Sequence, residues 1–431
     1  MLLAGAIPQT LPLSIATRVA AESEIKLGLI GCGSHGTAVT IQALKSQLLT
    51  ESVGTESRPQ VRLVAVADVF EDRIQQSMRA IRSHHRDRVD PKCQRFSGLD
   101  AFQGVLESDL DLVILAAPPG YRPLHFAAAV AAGKHVFADK PVAVDAPGVR
   151  NFLAANQLAM EKNLAVVVGL QRRHELAYRE TIQRLKDGAI GDINFCRAYW
   201  NQNSTWARPR SKAQTELEYQ LRNWQYFNWL SGDHIVEQHV HNLDVINWLL
   251  DAHPEKAQGV GGRQIRSGRD FGQVYDHHTV EFTYGNGVRL LSMCRQMSNC
   301  WNGVGEYAHG SKGWADIRSG KIYDLKDRLV WEAPTIDRAC DFGMRALIAD
   351  ISNDLTPNEG QYAAESTMTA IMGRMATYSG KELTWKKCFY SPLSLAEPGS
   401  LHSLTDPAPV LPDSDGRYEL LQPGDDISRI L

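Results

Sequence analysis

Glu24-Ile25-Lys26-Leu27-Gly28-Leu29-Ile30, followed directly by Gly31-Cys32-Gly33-Ser34-His35-Gly36 and then by the helix-compatible segment Thr37 to Leu49, decides the fold. An apolar run of strand length, a glycine turn and a helix stand here in the order that a dinucleotide fingerprint requires. The physics asks for a tight turn at Gly31, close approach of backbone to a pyrophosphate at Gly33, and close helix-to-strand packing at Gly36. Ser34 and His35 then stand at the helix N-terminus, where backbone N–H groups receive phosphate.

Working outward, Val61-Arg62-Leu63-Val64-Ala65-Val66-Ala67 reads as a second buried strand ending at Asp68. A carboxylate there accepts hydrogen bonds from the adenosine ribose and favours NAD over NADP. A strand-end turn is the plainer role for the same residue. Its spacing from the glycines exceeds the usual ~20 residues, which an inserted polar loop over Glu51 to Pro59 accounts for. A third strand, Leu112 to Ala117, runs into Pro118-Pro119. The alanine-rich segment Leu124 to Ala132 reads as a helix closed by Gly133, and the strand His135 to Ala138 ends at Asp139-Lys140-Pro141. Strand and helix alternation implies a doubly wound parallel sheet of Rossmann type, with ligands beyond the carboxyl ends of its strands, where Lys140 sits.

The whole chain has 431 residues, with 46 basic and 49 acidic side chains and a formal charge of −3. That balance argues against a nucleic-acid or membrane-surface partner, which a basic excess would mark. Seven cysteines are scattered without a C-x-x-C pair, so neither a zinc ribbon nor a complete disulfide framework is written here. No window is long and apolar enough for a membrane span. Residues 1–23 are leader-like: Leu2 to Ile7 are mostly apolar, Pro8 and Pro12 break any helix, and Val19-Ala20-Ala21 ends in small residues. This implies a periplasmic or secreted protein, with a cytoplasmic one carrying a disordered arm as the alternative.

A second constellation lies at Gly232-Asp233-His234-Ile235-Val236-Glu237-Gln238-His239-Val240-His241-Asn242-Leu243-Asp244. On one continuous helix Glu237 and His241 are a turn apart and Asp244 lies three residues further on the same face. Flanking carboxylates would favour the protonated imidazole and tune its pKa around neutrality for general acid–base work. The same segment offers His234, Glu237, His239 and His241 as metal ligands, but the order does not form H-E-x-x-H, and no metal is expected. Ordinary hydrogen bonding of a histidine-rich helix start is the plainest alternative. The preceding stretch from Tyr219 to Trp229, with Trp206, is rich in aromatic, amide and guanidinium groups. Such groups suit the alternating CH and OH faces of a sugar, as well as a core; Arg172, Arg222 and Trp224 are the expected substrate contacts. Thr279 to Tyr284, Gly285-Asn286-Gly287 and Val288 to Met293 read as a hairpin of a mixed or mainly antiparallel sheet. From Ser391 onward the chain turns rich in Pro, Ser, Asp and Gly and reads as an extended tail.

The glycine turn, Ala117-Pro118-Pro119 with His125, and Ala131-Ala132-Gly133-Lys134-His135-Val136 leading to Asp139-Lys140-Pro141 together resemble the Gfo/Idh/MocA family of glucose-fructose oxidoreductases and inositol dehydrogenases. In that family the tripeptide is usually Glu-Lys-Pro, its lysine at the nicotinamide and substrate hydroxyl and its proline commonly cis. Here Asp139 is one methylene shorter. Val166 to Arg173 and Gly191-Asp192-Ile193 are similar to the entry into the family's second domain, and the 232–244 segment to its catalytic helix. The resemblance places the catalytic histidine at His241, puts Glu237 where the family more often has aspartate, and adds Asp244.

The resemblance implies an N-terminal Rossmann domain over 24–145, an α+β domain with a large, mainly antiparallel sheet over 146–390, and a tail over 391–431. It also implies a homodimer or homotetramer. The expected activity is NAD-dependent hydride transfer with a secondary hydroxyl of a sugar, polyol or glycoside. Alternatives are a glycoside lyase or hydrolase with recycled NAD, and a non-catalytic dinucleotide or sugar sensor.

Overall fold

A computed structural model describes residues 24–45, 60–334 and 343–430. The leader-like segment 1–23, the insert over 51–59 and Cys340 lie outside the described residues. No described helix is long and apolar enough to cross a membrane.

The first layer is a parallel sheet of strands β1 (Glu24–Ile30), β2 (Gln60–Asp68), β3 (Val89–Ser97), β4 (Leu112–Leu115), β5 (His135–Ala138) and β6 (Val166–Val168), in the order β3-β2-β1-β4-β5-β6. Its centre is fixed by apolar register: Leu27 of β1 lies opposite Leu63 of β2 on one side and Leu112 of β4 on the other, all fully buried. The chain leaves β1 toward β2 and β3, then returns to β4 on the other side. The crevice at the carboxyl ends of β1 and β4 is therefore the switch point where such sheets bind ligands.

The parallel layer runs past the expected border at residues 145 and 146. The helix Ala146–Glu161 is the crossover that a parallel strand needs, and β6 then pairs with β5 through Val136 and Val166. Phe152 on that crossover stacks on Phe126, ring centroids 4.1 Å apart. Much later the helix Met344–Ser352 returns to the same layer, burying Met344, Leu347 and Ile348 with Leu27, Val39 and Leu44.

The second layer is a nine-stranded sheet of β7 (Ile193–Gln202), β8 (Pro254–Gly262), β9 (His277–Tyr284), β10 (Arg289–Gln296), β11 (Gly303–Gly310), β12 (Gly313–Asp316), β13 (Lys321–Asp324), β14 (Leu329–Glu332) and β15 (Leu383–Thr384). Its order is β14-β13-β12-β11-β7-β10-β9-β8-β15, antiparallel throughout except where β7 runs beside β10. The hairpin read from the sequence is β9 and β10, with Phe282 opposite Leu290. Residues alternate between a buried face and a half-exposed one in both strands, the period-2 pattern of a sheet covered on one side.

The helix Gly360–Ser379, buried almost all round, joins the layers. Buried Arg374 donates to the Val144 carbonyl at 2.8 Å and to the Gly232 carbonyl at 3.0 Å. One guanidinium thus ties the segment after Lys140-Pro141 to the turn before Glu237 and His241. The tail crosses both layers: Leu395 N–H donates to Asp145 Oδ2 (2.9 Å), Gln220 Nε2 donates to the Val410 carbonyl (2.5 Å), and Tyr275 OH donates to the Leu421 carbonyl (2.7 Å). The tail thus packs along its own chain.

Leu347 supplies the most direct test of the returning helix. Because it is fully buried against the glycine-turn helix, Leu347→Ala is expected to lower unfolding free energy by about 2–4 kcal/mol in a denaturant titration. A loss under about 0.5 kcal/mol would place this helix outside the core.

Candidate functional site

The three glycines of the turn meet three different constraints. Gly31 has φ +101°, and a Cβ there would run into the Ala116–Ala117 backbone at the end of β4. A Cβ on Gly36 would collide with the Gly31 carbonyl and lie 2.8 Å from Ala116 Cβ. At Gly33 a Cβ would meet nothing within 4 Å, because the space beside it is the cleft. Close packing on two sides and open space on the third, at the start of the helix Ser34–Lys45, fit a pyrophosphate.

Asp68 lines the cleft and also holds the turn, its Oδ2 accepting from Cys32 N–H at 2.7 Å and its Oδ1 from Phe70 N–H at 3.0 Å. Burial raises its pKa. Ala117, Pro118 and Pro119 form the opposite wall with His125, which packs between Phe102 (4.6 Å) and Tyr121 (5.6 Å). Burial pushes that imidazole down to about 3, so it is a neutral wall residue. His35 Nε2 stands 3.2 Å from Asp139 Oδ2, while Asp139 Oδ1 accepts the Lys140 N–H at 2.9 Å. Burial works against the Asp139 carboxylate, yet His35, Lys140 and Arg122 hold it well below the usual range.

The cleft, about 560 Å³, is lined by Lys140, Glu237 and His241 together. Lys140 Nζ donates to the Glu237 carbonyl at 2.5 Å and lies 3.0 Å from Glu237 Oε1. The Lys140-Pro141 peptide is cis, and Pro141 is buried outside the cleft lining. His241 lies parallel to Trp200, ring centroids 5.9 Å apart. Burial, then Lys140 and Arg172, push its pKa well below the ordinary imidazole value.

That reverses the expectation of a histidine flanked by carboxylates and tuned around neutrality. The segment is two helices, His234–Glu237 and Val240–Leu250, in place of one continuous helix. Glu237 turns to Lys140. Asp244, which does not line the cleft, takes Arg173 through both carboxylate oxygens (2.8–3.1 Å) and accepts from Ser366 Oγ at 2.8 Å. The alternative metal set does not assemble either: His239 Nε2 lies 2.7 Å from Ser292 Oγ and His234 Nδ1 lies 2.8 Å from Asp233. Asp233, His234 and His278 do cluster, within 4.8 Å. There the Asp233 carboxylate already accepts from His234 N–H (2.5 Å), Tyr275 N–H (2.9 Å) and Tyr378 OH (2.7 Å).

Of the expected substrate contacts, Arg222 and Trp224 line the cleft and Arg172 does not. Arg222 is anchored to Asp72 (3.1 Å) and Glu218 (2.9 Å) with its guanidinium over Phe70. Arg172 is spent on Glu306, fully buried, which also accepts from Tyr178 OH at 3.1 Å. A carboxylate that deep needs a paired cation. Arg73, Arg208, Gln171 and Gln225 line the cleft without having been singled out. Gln171, just beyond the end of β6, and Arg73, in the first turn of the helix Glu71–His85 that follows Asp68, obey the carboxyl-end rule that flagged Lys140; Gln225 falls within the amide-bearing stretch Tyr219 to Trp229, and Arg208 has no comparable local signal.

Residues 25–170 match the model of an oxidoreductase family's NAD-binding Rossmann fold, and residues 178–316 match the GFO/IDH/MocA C-terminal domain. The chain is 27% identical over 248 residues to inositol 2-dehydrogenase of Acidothermus cellulolyticus, covering 57% of this chain and 59% of that one. It is 27% identical over 201 residues to 2,7-anhydro-N-acetylneuraminate hydratase of Escherichia coli, covering 46% and 49%. The chain thus spans about half the length of these curated relatives. In fold it is similar to levoglucosan dehydrogenase in complex with NADH and levoglucosan, with TM-score 0.66, 15% identity, and 84% and 99% of the two chains covered.

The open space at Gly33 separates binding from folding. Gly33→Val is expected to leave thermal unfolding unchanged while weakening NADH binding roughly 100-fold, as a side chain displaces the phosphates. Unaltered NADH affinity by fluorescence titration would refute the cradle.

Proposed function

The chain belongs to the GFO/IDH/MocA family of oxidoreductases, and we propose that it moves hydride between a nicotinamide cofactor and a secondary hydroxyl of a sugar, polyol or glycoside. The observation that carries this reading is the convergence of Lys140 and His241 on the cleft that the glycine turn opens.

Gly31, Gly33, Gly36 and the N–H groups starting at Ser34 would hold the pyrophosphate, with Asp68 at the adenosine ribose. The bound nicotinamide supplies the acceptor or donor of hydride. The Lys140 ammonium has three N–H bonds, two of which are directed at Glu237. The third is left for the substrate oxygen, where the positive charge stabilises a developing alkoxide. His241, neutral because of its burial and the two nearby cations, takes the hydroxyl proton during oxidation and returns it during reduction. Asp139 positions Lys140 through its N–H, and Trp200 holds the imidazole plane. Arg222 and Trp224 would meet the substrate at the mouth.

We read the cofactor as NAD, because the Asp68 carboxylate would repel a 2′-phosphate; paired NADH and NADPH titrations decide this. The half-exposed sheet face bearing Phe195, Arg197, Tyr199 and Tyr307 supports a homodimer or homotetramer, which light scattering measures. The second reading is a redox-assisted glycoside lyase or hydrolase with recycled NAD, which the relative named a hydratase favours because hydration involves no net oxidation of the sugar. A sugar panel with NAD separates the two, through NADH accumulation in one case and altered sugar without it in the other.

Lys140→Ala is expected to lower kcat by about 10³-fold with NADH binding retained, and wild-type turnover in that variant would sink the reading. Because the neutral imidazole is the base and its pKa is lowered, oxidation should persist as pH falls through 6.5 and fail only below it. An acid limb at neutral pH in kcat/KM would contradict this assignment of His241.

A further inference from the structure

Two ion pairs join the walls of the cleft, and they differ in kind. One is the nearly enclosed pair of Lys140 and Glu237. In the other, Arg222 at the end of the helix Glu216–Arg222 reaches across to Asp72 on the helix Glu71–His85, its two terminal nitrogens donating to the carboxylate at 3.1 and 3.4 Å. The same guanidinium lies 3.8 Å from the centre of the Phe70 ring. Asp68, Phe70 and Arg222 all line the cleft, so this second contact spans it beside the carboxylate read above as the ribose anchor. We propose that the contact is a latch: the Arg222 side chain closes over the adenosine half of the cofactor and must swing off Asp72 and Phe70 whenever a dinucleotide enters or leaves. The proposal rests on the nicotinamide-cofactor reading above and adds to it how the cofactor is exchanged.

The cost of opening separates this pair from the other. Parting Lys140 from Glu237 would leave both charges poorly solvated. Asp72 is 49% exposed, so water takes over its carboxylate when the pair opens. The guanidinium keeps a second partner on its own helix, where Nε donates to Glu218 Oε1 at 2.9 Å. Neither charge is stranded in the open state. The cation–π contact with Phe70 favours the closed one. Burial works against the Asp72 carboxylate, yet Arg222 and Arg73 hold its pKa below the ordinary value. The pair is therefore charged across the neutral range, and the latch answers to salt rather than to pH.

The wall that carries Arg222 is fixed, which leaves one side chain as the moving part. Leu217, Tyr219 and Leu221 of its helix are buried in one cluster with Phe70, Leu99 and Tyr121 from the facing wall. Gln220, between them, donates to the Val410 carbonyl of the tail at 2.5 Å and accepts from the Trp229 indole at 2.8 Å. At the start of the helix Thr215 Oγ1 accepts from Glu218 N–H (3.2 Å) and donates to the Leu404 carbonyl (2.5 Å). The tail thus has a task at the cleft, since it holds the helix on which the latch is mounted.

The test is stopped-flow fluorescence on the full-length protein, following energy transfer from tryptophan to NADH. Entry is read by mixing protein with NADH, and exit by displacing bound NADH with excess NAD. Asp72 is outside the cleft lining, and Asp72→Asn removes the charge that Arg222 meets there. It is expected to speed entry and exit alike, by about 3- to 10-fold, with Kd within twofold of wild type. Equal acceleration in both directions marks a gate, whereas a lost binding contact or a loosened fold changes exit and Kd together. Asp72→Glu, which restores the charge, should exchange NADH within twofold of wild type. In about 1 M salt the difference between wild type and Asp72→Asn should fall below twofold. Exchange rates unmoved in Asp72→Asn, or faster exit with unchanged entry, would overturn the latch. Gated exchange in a protein that oxidises no sugar sinks the oxidoreductase reading alone, sugar oxidation with exchange untouched by Asp72→Asn sinks the latch alone, and NADH that does not bind sinks both.

Discussion

The ion pair between Lys140 and Glu237 is the constraint on which the site depends. Lys140 stands at the carboxyl end of a strand in the parallel sheet, Glu237 on a four-residue helix of the second layer, and they meet at 3.0 Å. Their side chains are 11% and 15% exposed, so the pair is not one of the surface ion pairs worth about 0–1 kcal/mol. Removing one partner of such a pair leaves a charge poorly solvated, at a cost of roughly 3–5 kcal/mol in buried cases. Arg374 reinforces the pair from behind through the Val144 and Gly232 carbonyls. The cleft is thereby one frame built from two layers.

The frame sets the electrostatics. Glu237 turns to the lysine and Asp244 to Arg173, and the pull of the Asp139 carboxylate toward a charged His241 is outweighed. Burial and the cations Lys140 and Arg172 keep the imidazole neutral, the form that a proton acceptor needs in the proposed oxidation. Arg172 acts at one remove: its partner Glu306 also accepts from Asn242, the residue after His241, so the buried pair lies under the proposed base.

Much of this was legible locally. The glycine turn, β1, β2, β4, β5 and the β9–β10 hairpin each carry a period or a turn chemistry written in consecutive residues. Lys140 was found because it ends a strand, which is also a local fact. β3 escaped because an edge strand reading Val89-Asp-Pro-Lys-Cys-Gln-Arg-Phe-Ser is mostly polar and contains Pro91, as edges often do. The partners of charged residues escaped for a different reason. Asp244 finds Arg173 across 71 residues and Arg172 finds Glu306 across 134, so spacing along one helix could not reveal that neither serves the expected role. The break between Glu237 and Val240 was hidden too, since the apolar periodicity runs through it.

Label transfer tests the central claim most directly. The protein would be incubated with NAD and a panel of sugars, polyols and glycosides deuterated at their carbinol carbons, and the cofactor recovered for mass spectrometry. The account expects a single deuterium on the nicotinamide ring with at least one member, in free or protein-retained NADH, and no transfer by Lys140→Ala. A cofactor that binds but emerges unlabelled across the whole panel would contradict it, leaving a dinucleotide-binding protein without the chemistry assigned to Lys140 and His241.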